Sequence, residues 1–377
     1  MKIGFEAKRL FTNYTGLGNY SRFIVGAMSS HDPLNEYFLF TPREVINGEV
    51  KAITDRENVR VVKPSGVFKA FSSLWRSWGL STGKIARGIN IFHGLNQELP
   101  FGLPDSVKKV VTVHDLIFLR YPAFYNAVDV SIYKTKVRSA CLRADKVIAI
   151  SEQTAQDIVD FLNIERRKID VVYQGCHPDF KKVVTQAEKE RIKATYNLPD
   201  RYILNVGTIE KRKNIIILID ALALLPKSAQ LPLVIMGRKS PYMQKVIERA
   251  RQRDVLDKIF FLHDARFQDF PAIYQQATMF VYPSLFEGFG IPLVEAIASN
   301  IPVITSRGSC FLETAGPDAL YIDPLQAEDL AEKFQMVIRG DSQTKEGIEK
   351  SRRYIGKFEP EIIARQLSEV YRSLLRL

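Results

Sequence analysis

The chain of 377 residues contains little cysteine and no long apolar run. Its three cysteines, Cys141, Cys176 and Cys310, are odd in number and widely spaced, so they fit neither a disulfide framework nor a metal site. No stretch approaches the roughly eighteen apolar residues of a membrane-spanning helix. The opening residues, MKIGFEAKRLF, carry charges every few positions and lack the apolar segment of a signal peptide. These absences predict a cytoplasmic protein.

Metal-binding patterns are missing from the sequence as well. It contains no Asp-x-Asp, and no group of His, Cys, Asp and Glu has the spacing of a ligand cluster. We therefore expect neither a metal ion nor another cofactor.

Acidic residues are absent from one stretch of a chain whose net charge is +11. Residues 58–97 contain six basic residues and no acidic one. Because the excess charge of the first half is confined to this stretch, it favours an anionic surface or substrate. A nucleic-acid-binding protein is the hypothesis that the high isoelectric point suggests, but the sequence has no stacking-aromatic or basic recognition motif to support it.

The length and the content of 46% hydrophobic and 25% charged residues indicate a globular protein of two domains. Short apolar runs alternate with helical patterns, which predicts an α/β protein with a doubly wound parallel sheet in each domain. The polar stretch 181–201 lacks a strand pattern and is predicted to be a linker between domains at 1–180 and 202–358. Strand candidates are 2–7, 37–42, 58–64, 90–95, 109–116, 145–151, 168–175, 202–207, 231–237, 258–263, 278–284, 301–306 and 319–324.

Two candidate sites follow strands of the first domain. TGLGNYSR, 15–22, contains Gly16 and Gly18, whose backbone N–H groups can approach a phosphate or a sugar in a loop. An ordinary glycine-rich turn explains the same residues. His114, in TVHDLIF, is predicted to donate to a substrate hydroxyl or to lie in its hydrogen-bond shell. The alternative is a histidine at the edge of the core whose hydrogen bonds are satisfied within the protein.

Two adjacent cations follow a strand of the second domain. In NVGTIEKRKNI, Gly207 ends the strand, and Arg212 and Lys213 lie just before the next helix. Cations beside a helix N-terminus are well placed to neutralise a diphosphate. A solvated charged loop is the alternative, because EKRK consists of residue types that are usually exposed.

Two carboxylates flank a turn in FEGFGIPLVEA, 286–296. The glycines between Glu287 and Glu295 permit backbone conformations closed to other residues, and Pro292 suits the first turn of a helix. The N–H groups of such a helix start form an anion site, and carboxylates accept hydrogen bonds from hydroxyls, so the stretch suits a phosphorylated sugar. The helix macrodipole favours Glu295 by itself, but the spaced pair is more specific.

These motifs resemble the retaining nucleotide-sugar glycosyltransferases of family 4, which have the GT-B fold of two Rossmann-like domains facing across a cleft. The resemblance covers essentially the whole chain. In the first half it rests on TGLGNYSR, IFHGLNQELP, TVHDL and VIAISEQTAQDI, and in the second on VGTIEKRKN, LVIMG, VYPSLFEGFGIPLVEAIA, PVITS and FLETAG. It implies that the final segment, 359–377, is a helix that packs back against the first domain.

The resemblance also implies roles for the candidate residues. Glu295 is expected to bind the ribose hydroxyls, and Glu287 to lie near the donor sugar, with His114 beside that sugar across the cleft. Arg212 and Lys213 are expected to meet the diphosphate. The other donor-binding residues are Gly16, Gly18, Gly207, Thr208, Phe289, Gly290 and Ile291, the last three through backbone N–H groups.

The implied activity is metal-independent, retaining transfer of a sugar from a nucleotide-diphosphate sugar. HGLNQELP and TVHDL resemble bacterial polysaccharide mannosyltransferases, which favours GDP-mannose as the donor and a glycan or polyprenyl-linked glycan as the acceptor. Thr208 stands where some members place an arginine on the diphosphate, which leaves more of that charge to Arg212. The alternatives are a UDP- or dTDP-sugar donor, and a non-catalytic scaffold that binds nucleotide sugar or glycan. No nucleic-acid partner is expected.

Both tryptophans lie in VFKAFSSLWRSWG, 67–79. Helical spacing places Phe68, Phe71, Trp75 and Trp78 within an arc of about 80°. A helix of this kind is expected to contact anionic lipid at the inner face of the plasma membrane. The alternative is an ordinary amphipathic helix with its aromatic residues in the first domain's core.

Overall fold

A computed structural model of the chain describes residues 1–13, 15–65, 75 and 88–375. The chain divides into two compact units. The first consists of Met1–Gly175 together with Lys357–Leu377, and the second of Cys176–Gly356. Each unit is built around its own parallel sheet.

The first unit contains a seven-stranded sheet. Its strands are β1 (Lys2–Glu6), β2 (Glu36–Phe40), β3 (Val59–Val62), β4 (Ile91–Gly94), β5 (Lys108–Val113), β6 (Lys146–Ala149) and β7 (Ile169–Val171). They lie in the order β3-β2-β1-β4-β5-β6-β7, and all neighbours are parallel. Strand β4 is buried along its whole length, as expected for a strand in a sheet with helices on both faces.

Helices of the first unit begin and end at residues whose side chains or backbone suit those positions. The helices are α1 (Lys8–Thr12), α2 (Gly16–His31), α3 (Gly48–Thr54), α4 (Ile117–Arg120), α5 (Ala127–Arg143) and α6 (Glu152–Leu162). The side chains of Asn47 and Ser151 cap α3 and α6 by accepting backbone N–H groups. Asn163 ends α6 in the left-handed conformation that asparagine tolerates.

The second unit contains a six-stranded parallel sheet. Its strands are β8 (Ile203–Val206), β9 (Leu233–Met236), β10 (Ile259–Leu262), β11 (Met279–Tyr282), β12 (Val303–Ser306) and β13 (Leu320–Ile322). They lie in the order β10-β9-β8-β11-β12-β13. The strand order therefore reverses between β8 and β11, which makes this neighbouring pair the switch point of the sheet.

Eight described helices belong to the second unit. The helices are α7 (Gln186–Tyr196), α8 (Ile215–Leu224), α9 (Met243–Gln252), α10 (Phe270–Gln276), α11 (Ile291–Ala298), α12 (Phe311–Ala315), α13 (Ala327–Arg339) and α14 (Ser342–Tyr354). The almost wholly apolar α8 packs against α13, whose Leu330 and Phe334 are buried in the same core. The prediction of an α/β protein with a doubly wound parallel sheet in each half is confirmed.

The stretch predicted as a linker, 181–201, lies within the second unit and contains α7. Thr185 caps this helix, Ile192 is its buried residue, and α7 packs against α10. The hydroxyl of Tyr196 donates to the carboxylate of Asp269 at 2.6 Å. Because α7 buries only a narrow face, its many charged residues resemble those of a solvated connection.

A last helix, α15 (Pro360–Leu375), belongs to the first unit and packs against α2. Ile363, Leu367 and Tyr371 recur at intervals of four residues, which places them on one buried face. The hydroxyl of Tyr371 lies 2.6 Å from Nδ1 of His93 on β4. This buried hydrogen bond ties the end of the chain to the centre of the first sheet.

The segment predicted to contact a membrane, 67–79, lies outside the described residues except for Trp75. The side chain of Trp75 is buried in the core of the first unit with Phe38, Phe40 and Phe92. For this residue the core alternative therefore holds, and membrane contact by the rest of the segment stays a prediction. In the part of the chain that the structure describes, no helix combines the length and apolarity needed to cross a membrane.

Candidate functional site

The two cations and Glu287 follow the two strands at the switch point of the second unit. Arg212 and Lys213 lie in the connection after β8, and Glu287 lies in the connection after β11. The chain leaves these neighbouring strands toward opposite sides, which opens a crevice at their carboxyl ends. The strand order therefore brings together Lys213 and Glu287, which are 74 positions apart in the sequence.

A short turn fixes the two cations. Lys211–Lys213 form a 3-10 turn, and Asn214 follows it in the left-handed region with a φ of 56°. The side-chain amide of Asn214 donates to the carbonyl oxygen of Pro283 at 3.2 Å. The backbone N–H of Leu285 donates to the carbonyl oxygen of Arg212 at 2.9 Å. One side-chain and one backbone hydrogen bond thus hold the connections after β8 and β11 together.

Both cations bind the same carboxylate oxygen. Oε1 of Glu287 lies 2.6 Å from Nη1 of Arg212 and 2.7 Å from Nζ of Lys213. Burial opposes ionisation of Glu287, but the two cations lower its pKa to about 2. Burial lowers the pKa of Lys213, whereas the carboxylates of Glu287 and Glu210 outweigh burial and raise the pKa of Arg212. These side chains form a buried ionic cluster, so a solvated charged loop does not describe Arg212 and Lys213.

Tyr282, the last residue of β11, supports Lys213 from a second direction. Its hydroxyl accepts a hydrogen bond from Nζ of Lys213 at 2.6 Å, and the ammonium lies 4.7 Å from the ring centroid. The tyrosine is buried. In a sequence, a tyrosine that ends a buried strand looks like an ordinary core residue. The only signal for Tyr282 is the hydrophobic run that leads into YPS, 282–284.

Glu295 lies in the second turn of α11 and is only 6% exposed. Tyr274 on α10 donates its hydroxyl to Oε2 of Glu295 at 2.8 Å, and no Lys or Arg of the described chain pairs with this carboxylate. Burial raises the pKa of Glu295 to about 7, although the hydrogen bond from Tyr274 acts against the rise. The macrodipole alone does not account for this glutamate, because a buried carboxylate without a cation is costly.

The glutamate motif turns into α11 at a glycine. Gly290 has a φ of 88°, and a Cβ at this position would lie 3.3 Å from the side chain of Leu293. Pro292 occupies the first turn of the helix. Phe289, Gly290 and Ile291 therefore stand at the N-terminus of α11, where backbone N–H groups favour anions.

Side chains that follow β12 hold the backbone of this motif. The hydroxyl of Ser309 accepts the N–H of Glu287 at 3.2 Å and donates to its carbonyl oxygen at 3.0 Å. The thiol of Cys310 lies 3.3 Å from the carbonyl oxygen of Glu287 and 3.1 Å from that of Phe289. Thr314 donates to the Phe289 carbonyl oxygen at 2.6 Å. These three side chains position the turn on which Glu287 lies, and no pattern in the sequence identifies them.

Close contacts explain the glycines that follow β8 and β9. Gly207 has a φ of 148°, and a Cβ on it would lie 3.3 Å from the Lys213 side chain. A Cβ on Gly237, after β9, would lie 1.8 Å from the carbonyl oxygen of Gly207. Thr208 follows and is exposed. The predicted donor-binding pair at 207 and 208 thus lies at the carboxyl end of a switch-point strand.

In the first unit, Gly16 and Gly18 lie at the start of α2 rather than in a loop. The N–H of Gly18 donates to the carbonyl oxygen of Thr15 at 2.9 Å. A Cβ on Gly18 would lie 1.8 Å from the carbonyl oxygen of Asn13, whereas a Cβ on Gly16 would meet nothing within 4 Å. The second glycine is therefore required by the tight connection between α1 and α2, and the pattern Gly-Leu-Gly does not reveal this difference.

His114, just after β5, is buried with its ring edge-on to Tyr20 at a centroid distance of 4.6 Å. Its Nε2 lies 2.8 Å from the carbonyl oxygen of Leu95, and because a carbonyl only accepts, Nε2 carries the proton. Burial, with a smaller contribution from Arg9, lowers the pKa of His114 to about 4. The neutral ring can therefore accept a hydrogen bond through Nδ1, and the expectation that it donates to a hydroxyl is corrected.

A cavity of about 140 Å³ lies beside His114 in the first unit. Its lining includes Arg9, Asn96 and Lys136. Oδ1 of Asn96 is buried and has no hydrogen-bond partner among the described residues. The cavity thus combines hydrogen-bond acceptors with cations, which suits a polar ligand.

Two protein-family models match the chain. Residues 39–180 match the model for glycosyltransferase family 4, and residues 186–355 match the model for glycosyl transferases group 1. The "O-antigen chain mannosyltransferase B" of Escherichia coli is 26% identical over 91% of this chain and 92% of its own length. The "O-antigen chain mannosyltransferase RfbU" of Salmonella typhimurium is 29% identical over 67% of this chain and 65% of its own length. The "Serotype-specific mannosyltransferase WbdA" of Escherichia coli is 30% identical over 67% of this chain, which spans 32% of that longer protein.

Solved structures share the fold. HepE of Anabaena, crystallised in complex with UDP, superposes with a TM-score of 0.75 at 17% identity and covers 99% of this chain and 100% of that chain. A glycosyltransferase from Rickettsia africae superposes with a TM-score of 0.75 at 20% identity, covering 99% and 98%. These likenesses show the GT-B fold. Since the two glycosyltransferase models together span well over half of the sequence, this chain belongs to the GT-B glycosyltransferases of group 1 and family 4.

Proposed function

We propose that the chain is a retaining mannosyltransferase that moves mannose from GDP-mannose to a glycan or polyprenyl-linked glycan in cell-surface polysaccharide synthesis. The observation that carries the proposal is the buried cluster in which Arg212 and Lys213 meet Glu287 at the switch point. Preorganised cations in a buried site suit a departing diphosphate. The choice of mannose is supported by relatives that are named as O-antigen mannosyltransferases.

Each residue of the cluster has a part in the proposed reaction. Lys213 and Arg212 offset the negative charge that grows on the diphosphate as the sugar leaves. Glu287 contacts the donor sugar, and Glu295 accepts hydrogen bonds from the ribose hydroxyls. His114 accepts a hydrogen bond from a substrate hydroxyl through Nδ1, in keeping with its tautomer. The backbone N–H groups at the start of α11 add to the anion site.

The proposed chemistry needs no covalent enzyme intermediate. The acceptor hydroxyl attacks the sugar on the face from which the diphosphate departs, and the anomeric configuration is retained. Charge on the leaving group is met by Lys213 and Arg212, so a metal ion is not required for this step in our proposal. Among the described residues, no three or more His, Cys, Asp and Glu side chains group in a way that could hold a metal ion.

Two alternatives to this proposal are another nucleotide-sugar donor and a non-catalytic scaffold. HepE was crystallised with UDP, so a UDP-sugar is the second candidate donor, and a dTDP-sugar is a third. A non-catalytic scaffold would bind nucleotide sugar or glycan without turnover. The ionic cluster favours a catalyst over a scaffold, because its buried cations are held where a leaving group would develop charge.

A thermal-shift panel of GDP, UDP, ADP and dTDP, with and without EDTA, tests the proposal. A ligand that binds only the folded state raises the melting temperature. We expect GDP alone to raise it, to the same extent in the presence of EDTA. A shift with UDP or dTDP instead would contradict GDP-mannose as the donor and leave the fold assignment unchanged. Loss of the shift in EDTA would contradict metal independence. No shift with any nucleotide would contradict the donor site and leave a scaffold that binds glycan.

A further inference from the structure

One cavity of the second unit lies at the edge of its sheet opposite the switch-point cluster. It has a volume of about 250 Å³. Gln275 and Asn300 line it, and each lies a few residues before a strand, β11 and β12 respectively. Lys213 and Glu287 follow the ends of strands instead. Because all strands of this sheet are parallel, the cavity and the ionic cluster lie at opposite edges of the sheet.

The charges around this cavity have one sign. Lys181, Lys182, Lys189 and Arg352 line it, and no carboxylate does. Lys182 pairs with Asp179 at 2.6 Å. Neither Lys189 nor Arg352 makes an ion pair or a side-chain hydrogen bond within the described part of the chain. Cations that converge on a cavity without a facing carboxylate favour an anion inside it.

The rim of the cavity is held in place. Gln275 accepts the N–H of Val184 at 3.0 Å and donates to the carbonyl oxygen of Lys182 at 2.7 Å. These two hydrogen bonds fix the segment before α7 against the end of α10. A preorganised rim lowers the cost of binding a small ligand.

Capping of α11 does not explain the cations. The helix ends at the cavity, and cations near a helix C-terminus are favourable in general. The backbone N–H groups of Ser299, Asn300 and Ile301 already donate to the carbonyl oxygens that precede them, at 2.9, 3.0 and 3.4 Å. The side chains of Lys189 and Arg352 therefore remain available to a ligand.

We propose that this cavity is an anion site that binds a phosphate group through Lys189 and Arg352. The volume is below that of a typical drug-sized pocket, which starts at about 300 Å³, and it suits a phosphate ion or a small phosphorylated molecule. The site is separate from the proposed donor site and does not depend on the proposed function.

The test is a calorimetric titration of inorganic phosphate at constant ionic strength, with chloride as the reference anion. We expect the double variant Lys189→Gln, Arg352→Gln to weaken phosphate binding roughly tenfold or more, because charge-assisted hydrogen bonds are lost. The control Lys345→Gln, Arg353→Gln removes two exposed charges from α14, the helix that also carries Arg352, and is expected to bind as the wild type does.

Two results would overturn the proposal. One is a wild-type protein that binds phosphate no better than chloride. The other is phosphate binding that survives the double variant and disappears in Lys213→Met, since the phosphate would then occupy the switch-point cluster.

Vesicles containing phosphatidic acid identify the source of the phosphate. Vesicle binding that is lost in the same double variant assigns the site to a lipid headgroup, and phosphate binding without vesicle binding assigns it to a free ligand.

Discussion

Glu287→Gln is expected to remove turnover while tightening the binding of the nucleoside diphosphate roughly tenfold, or about 1.4 kcal/mol. The carboxylate of Glu287 lies on both Arg212 and Lys213, at 2.6 and 2.7 Å. Glu210 lies 2.5 Å from Arg212 as well. In the absence of donor, two carboxylates therefore balance two cations, and an arriving diphosphate meets a cluster that is already neutral.

Removal of one carboxylate leaves a net positive charge for the diphosphate. At an effective dielectric constant of about 20, one unit charge at about 6 Å contributes roughly 3 kcal/mol, which screening and rearrangement reduce. Turnover should fall roughly a hundredfold or more, because Glu287 is the proposed contact to the reacting sugar. Gln removes the charge of Glu287 and keeps the size of the side chain. The variant therefore separates the effect on nucleotide binding from the effect on turnover.

Calorimetric titration of the nucleoside diphosphate, beside a turnover assay with the intact donor, measures both effects. Glu328→Gln, an exposed change in the same unit, is the control. Weaker nucleotide binding by Glu287→Gln would mean that Glu287 does not compete with the diphosphate.

Glu295→Gln is expected to stabilise the protein at about pH 8 by on the order of 3 kcal/mol. Burial raises the pKa of Glu295 from 4.5 to about 7 in the folded state. Between these values the folded chain binds more protons than the unfolded chain, so the free energy of unfolding falls as the pH rises. Above about pH 7 the whole cost of the buried carboxylate is present, and a neutral glutamine avoids it while still accepting the hydrogen bond from Tyr274.

The same variant is expected to bind the donor roughly ten- to a hundredfold more weakly, because hydrogen bonds from ribose hydroxyls to a charged acceptor are lost. In the wild type, affinity should fall as the pH drops below about 7, and in Glu295→Gln it should not depend on this range. The intact nucleotide sugar is the right probe, because a terminal phosphate titrates near pH 6 by itself. Urea denaturation at two pH values measures the stability change.

An equal stability gain at about pH 4 and about pH 8 would contradict the assignment of the raised pKa to Glu295. Glu328→Gln serves again as the control, since an exposed glutamate is expected to change stability by no more than about 0.5 kcal/mol. A gain in stability together with unchanged donor affinity would support the raised pKa of Glu295. It would contradict the proposal that Glu295 binds the ribose hydroxyls.

The sheets and the switch-point residues were predictable from the sequence because their signals are local. Continuous apolar runs mark strands that are covered on both faces, and Gly290 with Pro292 marks a turn into a helix. Arg212, Lys213 and Glu287 each follow such a strand, and parallel topology then brings them to one edge of the sheet. Their placement at one edge of the sheet follows from the fold, whereas the ion pairs of Glu287 with Arg212 and Lys213 are seen only in the structure.

The features that the sequence did not reveal depend on contacts between distant segments. Tyr282 and Tyr274 look like core residues, and only packing shows that their hydroxyls bind Lys213 and Glu295. The tautomer of His114 is set by a carbonyl group in another connection. The sequence of helix α7 predicts a linker, because one buried face among many charges gives a weak periodic signal.

The central claim is that Lys213 at the switch point binds the diphosphate of the donor. Calorimetric titration of GDP into the wild type and into Lys213→Met tests it most directly, with the exposed Lys345→Met as the control. Methionine keeps the length of the side chain, and Arg212 still pairs with Glu287 at 2.6 Å, so the fold should persist. We expect the dissociation constant to rise roughly a hundredfold in Lys213→Met and to stay unchanged in the control, since a buried charge-assisted contact is lost. An unchanged dissociation constant in a folded Lys213→Met protein would contradict the account.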